Sequence, residues 1–115
     1  MKDRLIEIEL NGVNYPLIYN LNVMEELENK YNTIDEWINK LKSSKARAKD
    51  IKYTLMVMMN EGIEIQNIET GSDRKKLTEK EVGRILYDYA LAMDKITEAA
   101  LSGGDTGEGK NVLTT

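Results

Sequence analysis

Apolar and polar residues alternate from residue 4 to 19, and from about residue 22 the apolar ones recur at spacings of three and four. The alternation predicts a β-hairpin over 4–19. Asn11-Gly12 supplies the two residues that tolerate positive φ, as a type I′ turn requires. A two-residue loop fixes the register, pairing Leu10 with Val13, Ile8 with Tyr15 and Ile6 with Leu17. One face then carries Ile6, Ile8, Leu10, Val13, Tyr15 and Leu17, and the other Glu7, Glu9, Asn14 and Pro16. The Pro16 nitrogen points away from strand one, so the outer side of strand two cannot pair there. The outer side of strand one (Leu5, Glu7, Glu9) either accepts another strand or is protected by its acids and a covering helix.

The helical spacing predicts elements at about 22–31, 33–42, 47–61 and 78–101. Asn22 with Glu25 reads as a capping-box-like start, Met24, Leu27 and Tyr31 mark a buried stripe, and Asn32 ends the helix. Thr33 and Glu36 form a second box, followed by Ile34, Trp37, Ile38 and Leu41 at helical spacing. In the third helix, residues 53–59 are apolar nearly all round, so it is central to the core or covered by another chain. It is expected to end at Gly62, with Ile63 and Ile65 open to a short strand in the connection 62–76. Thr78 with Glu81 opens the fourth helix, with Leu77 placed to staple against Val82. Val82, Ile85, Leu86, Tyr89, Met93, Ile96 and Ala100 then trace one stripe, and Tyr87 and Leu91 form a second flank. Unbroken from 78 to 101, that helix would be about 36 Å long. The glycine-rich residues 102–115 read as a flexible tail. The expected fold is therefore α+β and predominantly helical: an N-terminal β-hairpin packed on a bundle of about four helices, in a single domain over 1–101.

Composition narrows the chemistry. The 115 residues contain neither cysteine nor histidine. Disulfides, thiol nucleophiles, Cys/His zinc sites and Ser-His-Asp machinery are thereby excluded, leaving only carboxylate, lysine, tyrosine or serine chemistry. No catalytic, cofactor-binding or metal-binding residue is assigned, and the chain is read as a non-enzyme. With no apolar run long enough to cross a bilayer and no signal-peptide core near residue 1, the expected compartment is the cytoplasm.

Charge is distributed unevenly. Residues 1–36 hold 8 acids and 3 bases, whereas residues 37–60 hold 6 bases and one acid, Asp50. An acidic protein with one basic segment is a poor general binder of nucleic acid. The bases Lys40, Lys42, Lys45, Arg47, Lys49 and Lys52 instead mark either a solvated face or a surface for an acidic partner. Such runs are more often solvated faces, but their crowding at the start of the third helix runs against its dipole, a conflict that a partner would relieve. Candidate partner contacts are therefore Lys42, Lys45, Arg47, Lys49, Lys52, Tyr87 and Leu91.

Other constellations favour the plainer reading. Residues 104–111 match G-x-x-x-x-G-K, but a phosphate loop needs a strand before it and a helix after it, and Asp105 and Glu108 would repel phosphate. The acid groups Glu7/Glu9 and Glu25/Glu26/Glu28 fit a hairpin's polar face and an early helix turn. Met56, Met58, Met59 and Met93 suit core filling better than a plastic binding groove. Trp37, Tyr53 and Leu55 are expected as buried anchors.

The segments IELNGVNYPLIYNLNVMEELENKY, TIDEWINKL and LTEKEVGRIL together resemble the tail assembly chaperones of long-tailed phages and related prophages of Gram-positive bacteria. The resemblance lies in the order of parts over residues 5–100: a hairpin on an NG or DG turn, a "LEEKY"-type first helix, then a small helical body. It implies a non-catalytic role in tail assembly, with the tape measure protein and major tail protein as partners, self-association, and in many members a longer frameshifted form. It implies no cofactor and no catalytic residue. The alternative is a small phage- or plasmid-derived regulatory or adaptor protein that binds another protein.

Overall fold

The computed structural model describes residues 6–43 and 47–104, in the order β1 (Ile6–Leu10), β2 (Val13–Leu17), α1 (Leu21–Tyr31), α2 (Ile34–Lys42), α3 (Ala48–Thr70), α4 (Glu79–Ile85) and α5 (Tyr89–Gly104). It is an α+β, mostly helical fold: an antiparallel two-stranded hairpin packed on helices. The hairpin has the register expected, Leu10 opposite Val13, Ile8 opposite Tyr15 and Ile6 opposite Leu17. Asn11 and Gly12 take φ of 56° and 82°, the paired positive values of a type I′ turn.

Burial follows the apolar face with two departures. Ile6, Ile8, Leu10 and Leu17 are buried, but Val13 beside the turn is 44% exposed. Pro16, expected on the polar face, is buried. The reason is α3, which lies close enough to β2 to cover it. A Cβ placed on Gly62 would stand 2.8 Å from the Pro16 Cγ and 3.0 Å from the Pro16 carbonyl oxygen. The Ile18 N–H also donates to the Met58 carbonyl at 3.3 Å, so chain just beyond the strand bonds directly to helix backbone.

Gly62 is thus a packing position inside α3 and does not end it. The helix continues through residues 63–65, where a short strand was possible, and stops at Gly71, which adopts φ 73° and donates its N–H to the Asn67 carbonyl. At 23 residues α3 rises about 34 Å, close to the longest dimension of the molecule, 36 Å. Ile51, Leu55, Met58, Met59 and Ile63 are buried along it, with Thr54. The long central element is therefore α3 and not the C-terminal helix.

The C-terminal helical stretch is two helices, not one. The Leu86 N–H closes the last turn of α4 on Val82, and α5 restarts where the Leu91 N–H donates to the Asp88 carboxylate at 3.0 Å. This side-chain cap starts a new helix at the following residue. The break rotates the buried stripe: Val82 is buried in α4, whereas α5 buries Ala92, Ile96 and Ala99, and Tyr89 is 47% exposed.

Other caps hold the expected elements, with one shift. Asn20 caps α1, accepting from the Val23 N–H at 3.1 Å, two residues ahead of the expected Asn22. Asn32 closes α1 at φ 82°. Thr33 accepts from the Glu36 N–H, and Thr78 with Glu81 forms a complete reciprocal box. The expected flexible tail lies outside the described residues except for 102–104, which continue α5, and so does the G-x-x-x-x-G-K match beyond Gly104.

Candidate functional site

Two surfaces flank the start and middle of α3. The first is the basic segment. Lys40 and Lys42 occupy the last turn of α2, where the helix dipole favours cations, and both are exposed. Arg47 stands at the N-cap of α3 with no side-chain capping bond, and Arg47 and Lys49 are exposed. Lys45 lies outside the described residues. Lys52 is half-buried, its stem lying against Gly83 of α4.

The opposition of these bases to the dipole of α3 is compensated by a group the sequence reading passed over. Asp50 sits in the first turn of α3 and is 2% exposed. There its carboxylate faces the positive end of the helix. Its Oδ1 accepts from the Tyr31 hydroxyl at 2.8 Å, while its Oδ2 has no hydrogen-bond partner. Burial, then the bond to Asp50, raises the Tyr31 phenol above its ordinary range. Asp50 was the one acid among six bases, and that isolation was its signal.

The second surface is a groove of about 380 Å³ between α1 and α3. Met56 and Val57 contribute its apolar lining, and Glu25, Glu26 and Glu61 supply carboxylates. Glu61 Oε2 accepts from the side-chain amides of Asn20 and Asn22 at 2.8 and 3.1 Å. Asn60 accepts from the Leu77 N–H and donates to the Leu77 carbonyl, both at 2.8 Å, which fastens the segment before α4 to α3. Lys76 also lines the groove but pairs with Glu64 at 2.8 Å. The sequence reading missed this groove because its acids come from two helices, and only Glu25 and Glu26 were considered, as helix-start residues.

The aromatic contacts are structural in character. Tyr19 stacks on Trp37 with ring centroids 5.9 Å apart, and the Trp37 indole N–H donates to Thr54 Oγ1 at 3.0 Å in the interior. Burial, with Glu28 contributing, raises the Tyr19 phenol; burial, then Glu26, raises that of Tyr53. Both phenols therefore resist ionisation, because burial disfavours the charged form. Tyr53, expected as a buried anchor, is half-buried, whereas Trp37 and Leu55 are fully in the core.

Of the remaining candidates, Tyr87 is 81% exposed in the α4–α5 break, and Leu91 is half-buried against the core. Met58 and Met59 fill the core, and Met56 and Met93 are half-buried at its margin. Among the described residues, no group of three or more acids converges to hold a metal ion, and no helix is long and apolar enough to cross a membrane. Comparison with family models, curated proteins and solved structures gives no match.

Proposed function

We propose that this chain is a non-catalytic tail assembly chaperone of a long-tailed phage or prophage, which binds and solubilises the tape measure protein and helps recruit major tail protein in the bacterial cytoplasm. The reading rests on the resemblance in the order of parts, and the observation that supports it best is the hairpin. Its NG turn and firm register lead directly through Asn20 into α1, ahead of a small helical body. That arrangement devotes its side chains to packing. Val13, Leu21, Ile68, Tyr87 and Leu101 remain exposed outside that packing.

The test is co-expression with the tape measure protein that this reading expects to be encoded beside it, followed by sizing of the soluble fraction. A soluble complex containing both chains is expected. A client that stays insoluble and unbound would move the assignment to the regulatory or adaptor class.

A further inference from the structure

We propose that Asn11 is a self-modification site: when the hairpin tip opens, the Gly12 nitrogen attacks the Asn11 side chain, and the isoaspartyl product unfastens the strands nearest the turn. The inference goes beyond the chaperone reading, since it involves no partner and consumes only water.

The chemistry follows from what stands next to the amide. A bond forms between the Gly12 backbone nitrogen and Asn11 Cγ, and the bond from Cγ to the side-chain nitrogen breaks. That nitrogen takes up the proton lost by Gly12 and departs as ammonia, leaving a five-membered succinimide. Water then opens the ring. Cutting at Cγ gives aspartate on an unaltered backbone, whereas cutting at the main-chain carbonyl gives isoaspartate, with the chain rerouted through Cβ and Cγ. Water enters, ammonia leaves, and nothing is oxidised or reduced. Glycine leaves the attacking nitrogen unshielded, and every other asparagine in the chain is followed by a residue with a side chain.

The structure leaves both reacting groups free. Asn11 and Gly12 are exposed, and a Cβ placed on Gly12 would meet nothing within 4 Å. Among the described residues, neither the Asn11 side chain nor the Gly12 N–H enters a hydrogen bond. Asn60 and Asn67 make the contrast: each accepts from the N–H and donates to the carbonyl of one residue, Leu77 and Arg74 respectively.

What delays the reaction is the backbone. The turn holds Asn11 at φ 56° and Gly12 at 82°, and ring closure must swing the Gly12 nitrogen round to the side chain. The paired strands oppose that movement, so the reaction proceeds from an opened tip. Val13, 44% exposed, carries little of the packing there, whereas the far end is held by Pro16 against Gly62 and by the Ile18 N–H on the Met58 carbonyl. Few buried contacts place the tip at the low end of local stability. Isoaspartate adds one atom to the main chain, and a two-residue loop no longer matches the twist of the strands. The Leu10–Val13 pair is then lost first, Ile8–Tyr15 next, and Ile6–Leu17 is retained by the docking on α3.

Ageing the full chain in warm, mildly alkaline buffer, followed by peptide mapping with mass spectrometry, tests this. Conversion of amide to acid should accumulate at Asn11 about tenfold faster, or more, than at any other asparagine. Unfolding urea should raise the Asn11 rate about tenfold or more, because no hairpin then restrains the turn. Amide hydrogen exchange reads the consequence. Fresh Asn11→Asp carries the new charge on an unaltered backbone and should keep wild-type protection at Leu10 and Val13. The isoaspartyl form, separated from aged wild type, should lose protection there about tenfold or more, and lose less at Ile6 and Leu17. Asn11→Gly keeps a Gly-Gly turn without the amide, so ageing should leave its hairpin unchanged. Conversion no faster at Asn11 than elsewhere overturns the proposal. So does an Asn11 rate that urea leaves unchanged, an isoaspartyl form as protected at Leu10 and Val13 as Asn11→Asp, or ageing that loosens Asn11→Gly equally.

Discussion

Two glycines hold α3 to its neighbours, and they do it in opposite ways. Gly62, on α3, faces the Pro16 ring and carbonyl, groups fixed by a closed ring and by a paired strand, at 2.8–3.0 Å from where a Cβ would stand. Gly83, on α4, faces the stem of Lys52, with Cδ at 3.1 Å and Nζ at 3.7 Å from the corresponding point. The distances differ by only a few tenths of an ångström. What separates the contacts is that a lysine stem can swing aside and a proline in a strand cannot. The hairpin is therefore docked rigidly on α3, and α4 is docked adaptably.

Gly62→Ala puts the largest strain on this comparison. The added methyl must displace the Pro16 ring and β2 backbone, neither of which can swing aside, so the cost lies at the upper end of the range for overpacking, about 3 kcal/mol. Alanine regains up to about 1 kcal/mol of helix propensity, so a net loss of about 2 kcal/mol is expected. For a domain of this size the melting temperature should fall by roughly 10 °C. Urea unfolding of the variant checks the figure. Stability equal to wild type would mean that the strand yields and that the two contacts do not differ in kind.

Tyr31→Phe probes a contact between those extremes, a fixed polar pair at the start of α3. It removes the donor to Asp50 Oδ1 at 2.8 Å and leaves a buried carboxylate whose other oxygen already has no partner. Tyr31 is half-buried, so water can replace part of what is lost, and a cost of about 1 kcal/mol is expected. The cost should depend on pH in one direction. The Tyr31 phenol is raised in the fold, so its contribution is fully present below the ordinary phenol value of 10.0 and is lost as pH climbs through the folded value. Wild type and variant should therefore converge in stability above about pH 10. A difference that widens there would show that Tyr31 stabilises by some route other than this hydrogen bond.

The same contrast explains what the sequence made legible. Hairpin register, the Thr33 and Thr78 caps and the Trp37–Leu41 stripe depend on residues within a few positions of one another, and each signal is local. The helix limits at Gly62 and Asp88 differ from those expected because each residue type has two local meanings. A glycine after an apolar helical run marks either an end or a close approach, and only Pro16, 46 positions earlier, decides between them. Asp88 lies in a hydrophobic period that runs on without a gap, so the helix expected over 78–101 ran through it, whereas it caps a new one. Of the candidate contact residues, Lys42, Arg47 and Lys49 are on the surface as charge alone implied, but the groove needed the approach of α1 to α3 before its acids met.

Gly83→Ala should have the smallest effect and the opposite sign. Gly83 sits within α4 with no positive φ to preserve, so alanine gains helix propensity worth up to about 1 kcal/mol, part of it through the unfolded chain. Against that stands the shift of a few tenths of an ångström required of Lys52 Cδ, at 3.1 Å. Lys52 is half-buried, and among the described residues its ammonium is in no ion pair, so rotating the stem breaks no ionic contact. A net gain of about 0.5 kcal/mol is expected, read as a small rise in the urea midpoint with an unchanged slope. A loss comparable to that of Gly62→Ala would mean that the Lys52 stem is as fixed as the proline ring. The difference between the two docking contacts of α3 would then vanish. The further variant Lys52→Ala distinguishes the causes, because removing the stem should restore the gain if crowding of that side chain is responsible, and should leave the loss in place if α4 backbone is.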